Sequence, residues 1–376
     1  MRILVNASNL TKGGGIQVGD AFIRELPKHP EHQYVIACSR QIASSLGDLS
    51  GYPDFIHFEI IPAPTAADKL LRLLSVNHHL DDLVRRFSVD AVFTVFGPPY
   101  WHPKVKHLCG FAKAQYVYMD SLFFKDCSLS FLLKFKLKRH IHLKSFQNDT
   151  DRLVTENRDI SEKLQSIIPN KPIETVSNFY NTVFDDPASQ LEFTLPSFDG
   201  ITLLTVSALY PHKNFKIYPL VAKYLRESFP SIKFRFVITL PERSIYIPEN
   251  LQDCFFFTGQ VPIQKVPSLY RQSTFMFLPT LLECFSASWA EAMKMNVPIL
   301  TSDLGFAHGI CGDAAEYFDP FDPQDIGDKI VNLYHDPKRQ RDLIFKGQKQ
   351  LLTFQNNETR ASSYLNIIKK MITAIP

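Results

Sequence analysis

The chain has 376 residues, of which 45% are hydrophobic, and a formal net charge of +3. This length and apolar content suit two globular domains and exclude an intrinsically disordered protein. So small a charge gives no indication of a nucleic-acid partner, and only local clusters of charge are informative.

The six cysteines and the N-terminal residues indicate in which cellular compartment the protein is expected. The cysteines are scattered without a C-x-x-C pair, which argues against a disulfide framework or a zinc site and is typical of reduced thiols. The first residues, MRILVNASNL, lack the apolar core of a signal peptide, and no stretch approaches the roughly 20 apolar residues that span a bilayer. We expect a cytoplasmic protein, with peripheral attachment to the inner face of the cell membrane as a further expectation.

The first 180 residues alternate short apolar strands with amphipathic helical patterns. The strand RILVNAS precedes the helical pattern IQVGDAFIREL, and predicted strands follow at YVIACS, FIHFEIIP, AVFTVF, QYVYMD and RLVTEN. This alternation predicts a parallel sheet with crossover helices. We interpret residues 1–180 as an N-terminal Rossmann-like domain.

Three consecutive glycines, Gly13, Gly14 and Gly15, separate the first strand from the first helix. Glycine lets the backbone approach a phosphate or a hydroxyl closely, so the loop is a candidate anion site. The spacing is not G-x-G-x-x-G, and the second strand ends in Ser39 and Arg40 instead of an acidic residue, which argues against a nicotinamide site. A tight strand-to-helix turn explains the glycines equally well.

A basic stretch, LLKFKLKRHIHLKSF, occupies residues 132–146 and contains no acidic residue. Such a segment can lie on an anionic membrane surface, where each cation contributes about 1 kcal/mol. A solvated helix face is the alternative. No nucleic-acid partner is predicted, because no recognition motif accompanies the charges.

Residues 181–200 are rich in Pro, Asp and Ser and are interpreted as a linker. The alternation then resumes with ITLLTVSAL, KFRFVITL, FFFTG, TFMFLP and VPILTSD, so residues 201–355 are predicted to form a second Rossmann-like domain. Residues 356–376 form a further amphipathic helix, which we expect to pack back on the first domain.

A cation follows the first strand of the second half. In VSALYPHKNF, Lys213 stands beyond a strand end, where its charge can neutralise a pyrophosphate. An ordinary solvated lysine is the alternative interpretation.

Two glutamates stand eight positions apart in PTLLECFSASWAEAM at 279–293. Glu283 is predicted on a strand-to-helix loop and Glu291 inside the following helix. The ligand crevice of an open α/β sheet lies beyond the carboxyl ends of its strands, where amides at a helix start bind anions. The amides of Cys284, Phe285 and Ser286 are suited to that role.

Together these features resemble the retaining glycosyltransferases of family 4, whose Glu-x7-Glu motif reads P-S-x-x-E-G-F-G followed by E-A-M. The resemblance covers nearly the whole chain, including IETVSNFYNTVF and VPILTSDLGFAHGICGDAAEYFDP. It implies an α/β protein of the GT-B fold, with two Rossmann-like domains whose parallel sheets face each other across a cleft. It also implies transfer of a sugar from a UDP- or GDP-sugar to a saccharide or lipid-linked acceptor, with retention and without a cofactor or required metal. The biological setting implied is synthesis of lipopolysaccharide, O-antigen or capsule.

The resemblance assigns roles to individual residues. Glu283 and Asp120 are implied to be catalytic; Glu283 contacts the donor sugar, and Asp120 lies where the family often has His-Asp. Glu291 is implied to hold the nucleotide ribose. The implied donor-binding set is Gly14, Gly15, Lys213, His212, Gly259, Gln260, Val261, Cys284, Phe285, Ser286 and Glu291.

Four departures from the family pattern accompany these roles. Cys284 and Ser286 stand where glycine is usual, and Met119 replaces the family's histidine. Ser207-Ala208 replaces a Gly-Arg pair, so a second cation is absent there, and His212 is a partial substitute for it.

Two other functions share these features. A nucleotide-sugar epimerase of GT-B-like architecture would have the same donor pocket but would need no acceptor. A non-catalytic nucleotide-sugar-binding protein would keep the pocket without turnover.

Overall fold

The computed structural model describes residues 1–11, 13–62, 68, 74–125 and 127–373. The chain divides into two compact units. The first unit comprises Met1–Met119, Asp126–Asn178 and Gln355–Pro376, and the second comprises Asp120–Lys125 and Phe179–Phe354.

The first unit contains a seven-stranded, wholly parallel sheet of order β3-β2-β1-β4-β5-β6-β7. Its strands are β1 (Arg2–Ala7), β2 (Gln33–Cys38), β3 (Ile56–Ile60), β4 (Ala91–Thr94), β5 (Lys106–Gly110), β6 (Arg152–Thr155) and β7 (Ile173–Thr175). Its helices in the described ranges are α1 (Gly14–Glu25), α2 (Arg40–Leu46), α3 (His78–Arg86), α4 (Ala114–Val117), α5 (Leu129–Asn148), α6 (Arg158–Ile167) and, from the end of the chain, α13 (Asn357–Thr373).

The second unit contains a six-stranded parallel sheet of order β10-β9-β8-β11-β12-β13. Its strands are β8 (Ile201–Thr205), β9 (Phe234–Ile238), β10 (Phe255–Phe257), β11 (Phe275–Leu278), β12 (Ile299–Ser302) and β13 (Ala315–Phe318). Its helices are α7 (Tyr218–Ser228), α8 (Val266–Arg271), α9 (Ala287–Lys294), α10 (Gly305–Cys311), α11 (Pro323–Tyr334) and α12 (Pro337–Leu351). The predicted α/β class with two Rossmann-like parallel sheets is confirmed.

Strand order creates a switch point in each sheet. In the second unit, β8 lies between β9 and β11, so the chain winds first to one side of β8 and later to the other. The loops that leave β8 and β11 diverge at the carboxyl ends of these two strands, which is where open α/β sheets form their ligand crevice.

The central strands are buried, as expected for a parallel sheet covered on both faces. Every residue of β8, β9, β11 and β12 is buried. An aromatic group fills the core of the second unit, in which Tyr218 packs edge-on against Phe236 and Phe277 with ring centroids 5.3 and 5.2 Å away.

One predicted strand is wrong and three strands were missed. QYVYMD contains the helical turn α4 and a following turn instead of a strand. The missed strands are β5, KHLCG, β7, IET, and β13, AEYF, which are too short and too polar to show a strand pattern alone. The segment 181–200 lies in the second unit, where the backbone amide of Leu195 donates to Gln272 Oε1 at 3.0 Å.

Candidate functional site

Two loops meet at the switch point of the second sheet. Beyond β8 the chain turns at Pro211–Lys213 and passes through Asn214, whose φ of 55° is left-handed. Beyond β11, the amide of Leu281 donates to the carbonyl of His212 at 2.7 Å, and the hydroxyl of Thr280 lies 3.2 Å from the same carbonyl oxygen. These hydrogen bonds join the loop that carries Lys213 to the loop that carries Glu283.

Lys213 and Glu283 form a buried ion pair. Nζ of Lys213 donates to Oε1 of Glu283, and the side chains are only 10% and 9% exposed. The hydroxyl of Thr280 lies 2.9 Å from the same carboxylate oxygen and 3.2 Å from the carbonyl of His212, so its single hydrogen is shared between these acceptors. The structure therefore brings together the predicted phosphate-binding cation and the predicted sugar-binding carboxylate, and it adds Thr280, which the sequence interpretation missed.

His212 contributes an aromatic surface beside this pair. Its ring stacks on Tyr210 with centroids 5.5 Å apart and an interplanar angle of 10°. Burial lowers the pKa of His212, a shift that Glu283 opposes and Lys213 reinforces. This shift favours the neutral imidazole, which can exchange hydrogen bonds with a ligand. The partial substitution of His212 for the missing cation stays a prediction.

Helix α9 starts directly after Glu283. Ser286 is its N-cap residue, and the Ser286 side chain makes no capping hydrogen bond. Cys284 and Ser286 are buried, while Phe285 is half-buried and packs edge-on against Phe354 at 5.6 Å. The positive end of the helix dipole thus lies next to the ion pair, where it favours an anion.

Glu291 is buried inside α9 and faces Tyr270 of α8. The tyrosine hydroxyl donates to Glu291 Oε2 at 3.0 Å and lies 3.1 Å from the carbonyl oxygen of Ser288. Burial raises the pKa of Glu291 to about 7, and the hydrogen bond from Tyr270 opposes that rise. No motif in the sequence pointed to Tyr270.

The loop after β10 carries three of the predicted donor-binding residues, Gly259, Gln260 and Val261. Gly259 has a φ of 71°, a conformation that side chains disfavour, and its amide donates to the carbonyl of Leu240 at 2.9 Å. Gln260 is exposed and Val261 is half-buried. These residues follow the carboxyl end of β10 and so lie at the same edge of the sheet as Glu283.

Asp120 is exposed, and its segment Asp120–Lys125 groups with the second unit. The hydroxyl of the next residue, Ser121, donates to the carbonyl of Leu281 at 3.2 Å. Leu281 precedes Glu283 by two residues, so Asp120 adjoins a residue that contacts the loop carrying Glu283. A catalytic role for Asp120 stays a prediction.

Gly14 and Gly15 lie in the first unit, whereas the other predicted site residues lie in the second. They are the first two residues of α1, and the left-handed φ of 69° belongs to Gly13 before them. A side chain at Gly15 would come within 3.3 Å of Leu10, whereas no atom lies within 4 Å of a side chain added at Gly14. A donor-binding role for either glycine stays a prediction.

The basic stretch 132–146 lies within α5. Along this helix Leu129, Leu133, Leu137 and Ile141 are exposed, and they follow one another at intervals of four residues. Over the described ranges, no helix has both the length and the apolar character needed to cross a bilayer. Over the same ranges, no group of three or more His, Cys, Asp or Glu side chains is arranged to hold a metal ion.

Comparison with known proteins finds a family that is similar to part of the second unit. Residues 192–350 match the family described as "Glycosyl transferases group 1". The matched range contains Lys213, Thr280, Glu283 and Glu291, so it includes the whole switch-point site.

Two curated relatives are similar to more than half of the chain. The O-antigen chain mannosyltransferase RfbU of Salmonella typhimurium is 24% identical over 58% of this chain and 58% of its own length. The O-antigen chain mannosyltransferase B of Escherichia coli is 24% identical over 69% of this chain and 63% of its own length. The chain thus spans about three fifths of each relative.

Solved structures extend the similarity to both units. WaaG, described as a glycosyltransferase involved in lipopolysaccharide biosynthesis, is 12% identical to this chain and has a TM-score of 0.67. The similarity covers 98% of this chain and 99% of WaaG. At this identity the likeness concerns the fold alone. With the two parallel sheets, it confirms the predicted GT-B fold class.

Proposed function

We propose that this protein is a glycosyltransferase that moves a sugar from a UDP- or GDP-sugar to a saccharide or lipid-linked acceptor in the synthesis of O-antigen, lipopolysaccharide or capsule. The observation that carries the proposal is the Lys213–Glu283 pair at the switch point, inside the range matched to group 1 glycosyltransferases. The names of the two curated relatives favour mannose as the transferred sugar.

The Lys213–Glu283 pair suits a donor that carries a diphosphate and a sugar. A diphosphate at the start of α9 would form an ion pair with Lys213 and accept hydrogen bonds from the loop amides. These contacts would stabilise the negative charge that develops on the leaving nucleotide. Glu283 would then be released to accept hydrogen bonds from sugar hydroxyls. Catalysis by positioning and by these donors requires no metal, and we propose that transfer is metal-independent and retaining.

Glu291 suits the nucleotide ribose. A buried carboxylate with one oxygen held by Tyr270 keeps a second oxygen for a pair of ribose hydroxyls. Hydrogen bonds to a charged group contribute roughly 1–3 kcal/mol, so the loss of this carboxylate is expected to lower the affinity for a nucleotide about 5–150-fold.

Calorimetry with UDP, GDP, uridine and guanosine tests the site. Lys213→Ala is expected to weaken the binding of the nucleoside diphosphates more than the binding of the nucleosides. Glu291→Ala is expected to weaken the binding of both. Lys216→Ala is the matched control, because Lys216 is an exposed lysine three residues along the same loop. If Lys213→Ala lowered the affinity for diphosphate and nucleoside equally, Lys213 would not be a phosphate-binding residue.

Product analysis separates transfer from the two other functions. With a nucleotide sugar and a saccharide or lipid-linked acceptor, mass spectrometry is expected to show a glycosylated acceptor and free nucleoside diphosphate, with and without EDTA. Turnover without an acceptor would indicate the epimerase, and binding without turnover would indicate the non-catalytic protein. Loss of transfer in EDTA would overturn the metal-independent proposal.

We also propose that α5 lies on an anionic membrane surface and so presents the enzyme to a lipid-linked acceptor on the cytoplasmic side. Leu129, Leu133 and Leu137 are 73%, 61% and 64% exposed, which is unusual for leucines spaced to lie on one side of a helix. Such an apolar ladder has a natural partner in the acyl boundary of a bilayer.

The charges of α5 are arranged to support this contact. Successive residues of a helix are rotated by about 100°, so the exposed lysines Lys136 and Lys138 flank Leu137 on two sides. Lys134 flanks Leu133 in the same way. Arg139 differs from these lysines, because it is half-buried and its Nε donates to the carbonyl of Tyr116 at 2.9 Å. The lysines, and not Arg139, are therefore the cations available to lipid headgroups.

Co-sedimentation with phosphatidylglycerol-rich vesicles tests the surface. Changing Lys134, Lys136, Lys138 and Lys144 together to Gln is expected to weaken binding by about 4 kcal/mol, close to a thousandfold, and wild-type binding is expected to weaken as salt rises. Leu133→Ser with Leu137→Ser is expected to weaken binding while leaving the salt dependence. The matched control changes four other exposed lysines to Gln, namely Lys216, Lys223, Lys369 and Lys370. Equal binding by the control and the α5 variant would leave α5 as a solvated face.

A further inference from the structure

Tyr270 and Glu291 make a hydrogen bond that crosses between two helices of the second unit. Both residues are buried, and their polar atoms meet at 3.0 Å. Tyr270 reaches this position from α8, where its ring also packs edge-on against Phe184 at 6.0 Å. The ring is therefore held by packing, and its hydroxyl has a fixed direction.

The hydroxyl has two acceptors and a single proton. An ionised carboxylate and a backbone carbonyl both only accept, so the Tyr270 hydrogen is shared between Glu291 and the carbonyl of Ser288. Ser288 is fixed in turn, because its hydroxyl donates to the carbonyl of Val206 at 2.9 Å, just beyond β8. Tyr270 thus fixes both the carboxylate and the first turn of α9 against the switch point.

The charge on Glu291 depends on the same hydroxyl. Tyr270 is the titratable group that faces the carboxylate, and Lys294, one turn along α9, pairs with Asp185. A protonated carboxyl gives up one acceptor oxygen and becomes a donor, so it is a poorer partner for ribose hydroxyls. Because the Tyr270 hydrogen bond favours the ionised form, its loss favours the protonated form.

We infer that Tyr270 is a positioning residue of the nucleotide site, which orients the Glu291 carboxylate and keeps it ionised so that it accepts hydrogen bonds from the nucleotide ribose. The inference rests on the proposed function for the ribose role of Glu291. It concerns a residue outside the Glu-x7-Glu motif, and it makes nucleotide affinity sensitive to a hydroxyl that does not itself touch the nucleotide.

The test uses Tyr270→Phe in the full chain, which removes the hydroxyl and keeps the ring. The affinity for UDP and GDP, measured by calorimetry from pH 6 to pH 9, is expected to fall about 5–20-fold at pH 7 and to recover in part at pH 9, where Glu291 is ionised. In transfer assays the donor KM is expected to rise with kcat within twofold. The matched control is Tyr218→Phe, because Tyr218 is also a buried tyrosine of this unit and its hydroxyl bonds Thr205 at 2.8 Å, away from Glu291.

A second measurement needs no nucleotide. The Glu291 carboxyl titration, followed by carbon-13 NMR and assigned with Glu291→Gln, is expected to move to higher pH in Tyr270→Phe and to stay unchanged in Tyr218→Phe. An unmoved titration in Tyr270→Phe, or equal nucleotide losses in the two tyrosine variants, would overturn the inference. Failure of the wild type to bind either nucleotide would instead overturn the proposed function and the ribose role with it, while a shifted titration would still show that Tyr270 controls the charge of Glu291.

Discussion

Lys213 and Glu283 are two opposite charges that are almost completely shielded from water. Each charge is tolerated because the other is adjacent, and the Thr280 hydroxyl gives the Glu283 carboxylate a second hydrogen bond. The pair is therefore expected to stabilise the fold in addition to its proposed role in donor binding. If the phosphates of a donor pair with Lys213, Glu283 loses that ion pair and needs new hydrogen-bond donors. The hydroxyls of the sugar can be those donors.

Lys213→Ala is expected to lower the free energy of unfolding by about 3–5 kcal/mol, because it leaves Glu283 buried without its cation. Lys213→Met combined with Glu283→Gln is expected to recover much of that loss, since neither charge then remains. Urea unfolding followed by Trp289 fluorescence measures both, with the exposed Lys216→Ala as the control. A double variant as unstable as Lys213→Ala would show that the pair is not the cause.

At the scale of elements, the first unit is completed by the last helix of the chain. Tyr364 and Ile368 of α13 are 3% and 0% exposed, and Tyr364 packs against Phe22 and Phe93 with ring centroids 5.5 and 4.8 Å away. Phe22 belongs to α1 and Phe93 to β4, so α13 covers the middle of the first sheet. The alternation of buried and exposed residues along α13 is why its helical pattern was readable in the sequence.

Ile368→Ala is expected to destabilise the first unit by about 2–5 kcal/mol, because it removes buried methylene groups and leaves a cavity under α13. Lys369→Ala, the next residue on the exposed side, is expected to change stability by less than about 0.5 kcal/mol. Urea unfolding followed by Trp101 fluorescence measures the difference. Equal stability of the two variants would mean that α13 does not hold the core.

At the scale of the whole molecule, His107 and His142 of the first unit and Glu291 of the second are expected to change stability in opposite directions as the pH falls. His212 of the second unit has a lowered pKa and acts in the same direction as the two histidines of the first unit. In the first unit, His107 is buried between Thr94 and the carbonyl of Asp149, and burial lowers the pKa of His107 to about 4. Burial also lowers the pKa of His142 to about 4. In the second unit, burial raises the pKa of Glu291 to about 7.

The signs follow from proton uptake. Between about pH 6.5 and pH 4 the unfolded chain protonates His107 and the folded chain does not, so acid weakens the first unit, by about 2 kcal/mol at pH 5. Between about pH 7 and pH 4.5 folded Glu291 takes up a proton that the unfolded chain does not, so this group adds stability to the second unit as the pH falls.

The two tryptophans of the chain allow a direct test, because Trp101 lies in the first unit and Trp289 in the second. From pH 7.5 to pH 5, the urea midpoint reported by Trp101 in the Trp289→Phe variant is expected to fall. The midpoint reported by Trp289 in the Trp101→Phe variant is expected to fall less or to rise. A larger fall for Trp289 would contradict the assignment of acid sensitivity to the first unit.

The sequence by itself determined the class of fold and the placement of single residues along their elements. Apolar runs separated by helical periods predicted both parallel sheets, and they put Glu283 on a loop, Glu291 in a helix and Lys213 beyond a strand. These features depend on residues within one or two turns of each other, so a linear pattern records them. The strand β5, KHLCG, escaped because its strand character comes from β4 and β6 on either side.

Only the tertiary structure decided which side chains meet. Lys213 and Glu283 are 70 positions apart and pair because β8 and β11 are neighbours at the switch point. The hydroxyl of Tyr270 in α8 reaches Glu291 in α9, and Ser121, the residue after Asp120, contacts the loop that carries Glu283. Strand order and helix packing arise from the burial of whole faces, which no local spacing encodes, and therefore the partners of the predicted residues became known only with the fold.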